Sequence, residues 1–100
     1  MRKRILIVMF DLPMTTKQEQ KSYRNFIKKL KSEGFVMLQK SIYAKCIRGK
    51  EALNVYETKV RSYADEGSIF LLPVGYKSFC RMTNFAGKDY DFLCNSIIVI

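Results

Sequence analysis

Ile5-Leu6-Ile7-Val8-Met9-Phe10-Asp11 is the stretch from which the rest of the chain is read. Six apolar, largely branched residues stand in a row, so both faces of an extended segment are apolar, as in a central strand covered on two sides. Side chains alternate with period two, which puts Asp11 on the face of Ile5, Ile7 and Met9. A carboxylate therefore closes a buried strand, and Pro13 stops the strand just beyond it.

Downstream, Thr16 and Glu19 form a capping box, and Gly34 supplies a permissive residue after a helix spanning roughly 17–33. Tyr23, Phe26, Ile27 and Leu30 make its apolar stripe. Lys17, Lys21, Arg24, Lys28 and Lys31 make a second stripe, displaced by about 120° around the helix. Residues 35–39 and 41–47 read as two strands or, because Gln39-Lys40 is poor turn chemistry, as one bulged or bent strand. Leu53, Tyr56, Val60 and Tyr63 give a second amphipathic helix over 50–64, ended by Asp65-Glu66-Gly67. Residues 68–74 form another strand, in which Pro73 suits an edge. Residues 76–95 hold Phe79, Met82 and Phe85, with one short helix, and Ile97 to Ile100 form a final strand.

The order is βαββαβ with an added C-terminal strand, which predicts one α+β domain over 1–100 of the ferredoxin-like kind. Both long helices then cover one face of an antiparallel sheet, yet the first strand is apolar on both. A second copy covering the open face is the simplest solution: a homodimer with sheets stacked face to face, 97–100 pairing with the partner protomer.

The 100 residues carry 18 Lys plus Arg against 9 Asp plus Glu, a net charge of +9. Residues 1–50 hold thirteen basic side chains and three acidic ones (Asp11, Glu19, Glu33), a net of +10; residues 51–100 net −1. Such asymmetry points to a polyanion, usually nucleic acid, with solubility as the bland alternative. With no histidine, His-based acid–base catalysis, Ser-His-Asp and Cys-His schemes and Cys2His2 zinc sites are excluded. Cys46, Cys80 and Cys94 form no C-x-x-C pair and are read as buried, reduced thiols. The basic start followed by an apolar run lacks a small-residue cleavage site, and no stretch approaches a membrane span. A cytoplasmic protein without membrane partners is expected.

Phe10-Asp11-Leu12-Pro13-Met14, then Tyr23-Arg24-Asn25-Phe26, then Gly34 to Tyr43 resemble the CRISPR-associated protein 2 family, most closely the form from single-effector systems. The resemblance covers the first forty-five residues well. It implies a homodimer that joins CRISPR-associated protein 1, the integrase, in capturing double-stranded DNA fragments as new spacers. It also implies a magnesium-dependent nuclease acting on single-stranded RNA or double-stranded DNA, with Asp11 as catalytic residue and metal ligand. The family's commoner Tyr-Asp-Ile stands here as Phe10-Asp11-Leu12, and the motif supplies no second carboxylate.

On residues alone, Asp11 is a metal ligand or a cap of the following turn. One Asp per chain is a poor magnesium site unless a dimer brings two Asp11 side chains to one ion. The five-residue basic stripe is a phosphate-binding track or a solvated face; its counter-charges are missing, which favours the track. Arg2, Lys3 and Arg4 reach phosphates or are a disordered terminus. Gln39, Ser41 and Tyr43 need no function to explain them. Two rival functions stand beside DNA-binding adaptation: a stand-alone metal-dependent endoribonuclease of the toxin type sharing this fold, and a binding module with no nucleic-acid role.

Overall fold

The computed structural model describes residues 3–83. Its elements are β1 (Lys3–Asp11), α1 (Lys17–Ser32), β2 (Val36–Gln39), β3 (Ile42–Arg48), α2 (Lys50–Arg61), β4 (Ser68–Gly75) and α3 (Tyr76–Cys80). The strands form an antiparallel sheet in the order β2-β3-β1-β4, so β1 is central and β4 lies at an edge. This is the ferredoxin-like α+β arrangement. The strand expected at 97–100 lies outside the described residues, as do Arg2 and Cys94.

The two faces of β1 meet different partners. Leu6, Val8, Phe10 and Leu12 pack against Phe26 and Leu30 of α1 and Val60 of α2. Phe10 is the aromatic centre: its ring lies 4.7 Å from Phe26 in an edge-on pair, 5.9 Å from Tyr43 and 6.0 Å from Tyr23. The opposite face is only partly covered. Ile5 and Ala44 are buried there with Phe79 of α3, a third helix that closes one end of the face. Towards the Asp11 end, Leu72 (opposite Ile7) and Phe70 (opposite Met9) remain 46% and 66% exposed.

Local chemistry sets the boundaries. The Thr16 hydroxyl accepts from the Glu19 amide at 3.0 Å, and Glu19 Oε1 accepts from the amides of Thr15 and Thr16 at 2.9 Å. That is the expected capping box. β2 and β3 are separate strands with a register shift between Met37 and Gln39, and Ser41 adopts φ 66° in the turn between them. The second helix ends at Arg61 rather than Ala64, because the Ser62 and Tyr63 amides donate three residues back, to Lys59 and Val60, and tighten the chain out of α-helix. Pro73 stands on edge strand β4, as expected. Cys46, which packs on the second face, and Cys80, the last residue of α3, are half-buried rather than buried.

Phe26 is fully buried at the junction of α1 with β1. Phe26→Ala should cost about 3–5 kcal/mol, whereas Lys28→Ala on the exposed flank should change stability by less than about 0.5 kcal/mol, both read as urea midpoint shifts at constant m.

Candidate functional site

Asp11 ends β1 directly opposite Ser68, the first residue of β4, and both are exposed. The two chains meet closely here. Gly67 has φ +93°, and a Cβ on it would stand 2.6 Å from the Asp11 carbonyl oxygen and 2.7 Å from Leu12 Cδ2. Glycine is therefore required on both backbone and steric grounds. On the other flank the Phe10 amide donates to the Ser41 carbonyl at 3.1 Å, and Ser41 Oγ lies 3.3 Å from the Tyr23 hydroxyl. The strand end is held from both sides, while its carboxylate has no hydrogen-bond or ion-pair partner among the described residues.

The Asp11 carboxylate and the Ser68 hydroxyl opposite it are oxygen donors of the kind a divalent cation takes. They do not complete its shell, since no group of three Asp, Glu, Cys or His residues occurs among the described residues. Magnesium takes about six oxygens, so the remainder has to come from water, phosphate or a second chain.

Lys17, Lys21, Arg24, Lys28 and Lys31 are all exposed, Arg24 included, and none has an ion-pair partner among the described residues. Glu19 of the same helix is engaged in the cap. Five residues separate Asp11 from Lys17, the first residue of α1 and of the stripe. Lys3 and Arg4 form the start of β1 instead of a loose terminus, eight residues from Asp11 and about 25 Å along the strand. Lys3 Nζ lies over the Tyr76 ring at 5.6 Å. Only the Lys17 end of the stripe follows Asp11 closely in the chain, and α1 covers the face of β1 opposite to the one Asp11 shares with Ile7 and Met9.

Three further lysines escape a reading by helical stripe. Lys29 Nζ sits 5.5 Å over Tyr63, while Lys45 and Lys59 lie 5.2 and 5.4 Å over Tyr56. Lys59 also pairs with Glu33 at 3.4 Å. Burial, then the nearby Glu33 charge, raises the Tyr63 phenol above its ordinary 10.0, and burial, then Tyr23, does the same for Tyr43. Both phenols stay neutral at physiological pH.

A cavity of about 380 Å³ opens between α1 and the α2–β4 connection, lined by Ser22, Asn25, Lys29, Asp65 and Glu66 among others. Asp11 does not line it, and its mixed charges do not favour a polyanion.

A family model described as CRISPR associated protein Cas2 matches residues 4–82. The chain is 38% identical over 92 residues to the "CRISPR-associated endoribonuclease Cas2" of Streptococcus mutans serotype c (strain NN2025), covering 91% of this chain and 86% of that one. It is 34% identical over 92 residues to the like-named protein of Ligilactobacillus salivarius (strain UCC118), covering 91% of each chain. A third, from Flavobacterium psychrophilum, is 37% identical over 84 residues, covering 83% of this chain and 73% of that one.

The tight approach at Gly67 has no counterpart at Gly75, where a Cβ would meet nothing within 4 Å. Gly67→Ala should cost about 1–3 kcal/mol and speed amide exchange in the Asp11 half of the β1–β4 ladder, while Gly75→Ala should be neutral to slightly stabilising. Chemical unfolding and hydrogen exchange of the two variants check this.

Proposed function

The chain belongs to the CRISPR associated protein Cas2 family, and from that premise we propose that it is a nucleic-acid-binding subunit of CRISPR adaptation. As a homodimer it holds a double-stranded DNA fragment along α1 and joins copies of CRISPR-associated protein 1, the integrase. The observation that carries this reading is the unpaired stripe Lys17, Lys21, Arg24, Lys28 and Lys31. From Lys17 to Lys31 it extends about 21 Å, over which one strand of a duplex presents about six phosphates. Releasing counterions from such a row is the main source of sequence-independent affinity.

The second part of the proposal is phosphodiester cleavage at Asp11. A bound divalent cation such as magnesium supplies Lewis acidity to the phosphate and an acidified water as nucleophile. Asp11 would hold the ion, and the histidine-free chain offers no imidazole for that role. A second copy stacked over Phe70 and Leu72 takes those side chains out of water and brings a second Asp11 to the same region.

An endoribonuclease acting without a partner is the second reading, favoured by the names of the relatives. Wild type, Asp11→Ala and the triple variant Lys21→Ala, Lys28→Ala, Lys31→Ala separate the two. The triple variant should lower the salt slope of duplex binding by about 2–3 and leave the fold intact. Asp11→Ala should abolish magnesium-dependent cleavage and keep duplex binding. An unchanged slope rejects the track; RNA cleavage at full rate by a chain with no duplex affinity favours the second reading.

A further inference from the structure

We propose that the Ser68 hydroxyl is the second oxygen donor this chain brings to a divalent cation held by Asp11. The proposal rests on the Asp11 reading above and adds a residue to it. Three observations on the strand end carry it.

The first is register. Asp11 and Ser68 are directly opposite on adjacent antiparallel strands, so their side chains leave the same face with Cβ atoms about 4.5–5.5 Å apart. Magnesium–oxygen bonds of about 2.0–2.1 Å at right angles put neighbouring ligand atoms about 3 Å apart. A carboxylate oxygen and a hydroxyl oxygen reaching forward from that pair of Cβ atoms span such a gap. Ser68 is otherwise unremarked: a small polar residue at the start of an edge strand.

The second is availability. Ser68 is exposed, and its hydroxyl has no hydrogen-bond partner among the described residues. Ser32 and Ser62, by contrast, donate to carbonyls of Lys29 and Lys59, and Thr58 donates to Asn54. Among the described residues, the Ser68 hydroxyl stands beside an unpaired carboxylate and has no hydrogen bond of its own.

The third is rigidity. Gly67 packs directly on the Asp11 carbonyl and Leu12, in a conformation that other residues adopt only under strain. A slip of β4 against β1 would have to break that contact, so the residue after Gly67 is held opposite Asp11. Two protomers placing an Asp11 and a Ser68 each at one ion would supply four protein oxygens, leaving positions for water or phosphate.

The test titrates Mn2+ alone into the full chain and follows free hexaaqua Mn2+ by electron paramagnetic resonance. Ser68→Ala should weaken Mn2+ binding on the order of tenfold. Ser68→Thr, which keeps the hydroxyl, should hold wild-type affinity, and Ser68→Asp should bind more tightly than wild type. Asp11→Ala should lose binding, and thermal unfolding should show all four variants folded. Equal affinity of wild type and Ser68→Ala overturns the proposal, as does a loss in Ser68→Thr equal to that in Ser68→Ala. Unaltered binding in Asp11→Ala overturns instead the Asp11 reading on which it stands.

Discussion

The structure depends on one constraint, that β1 is apolar on both faces and each face has to leave water. Its even-numbered residues accept α1 and α2, and that packing sets β1 at the centre of the sheet and the helices on one side. Its odd-numbered residues are sheltered by α3 only near Ile5, so apolar surface stays open from Ile7 to Phe70. Asp11 belongs to this second set. The carboxylate therefore stands at the end of the face that the proposed second copy would cover, so the same dimer would serve the apolar surface and the proposed ion.

Charge is divided with similar economy. Lysines near the α1–α2 crevice lie over tyrosine rings or pair with Glu33, so their ammonium groups serve the fold. Those on the outer flank of α1 have no such partner among the described residues and present their charge to solvent. A phosphate backbone on that flank displaces counterions without breaking any contact within the protein. The net charge of +9 thus resolves into structural cations and an available row.

Much of this was legible in the residues, and the reasons differ by element. Thr16, Glu19 and Gly34 act through local geometry, so the limits of α1 follow from spacing alone. The apolar run of β1 and Pro73 of β4 betray centre and edge, because ladder hydrogen bonding and burial act on each strand separately. Asp11 was visible as a strand-end carboxylate. Its opposition to Ser68 was not, since register between strands fifty-seven positions apart is a tertiary outcome of the whole sheet. In the sequence Gly67 only closes the segment that ends the second helix, and the approach of Asp11 shows why no other residue serves. The role of α3 was hidden because its five residues carry too short a pattern to assign a face.

The central claim is that two chains share one cation at their paired strand ends. Native mass spectrometry of the full chain with Mn2+ reads this directly, because mass reports chains and ions together. The account expects a species of two chains carrying one ion, reverting to two chains without an ion when Asp11 is replaced by Ala. Single chains each holding their own ion, or an Asp11→Ala dimer that keeps its ion, would contradict it.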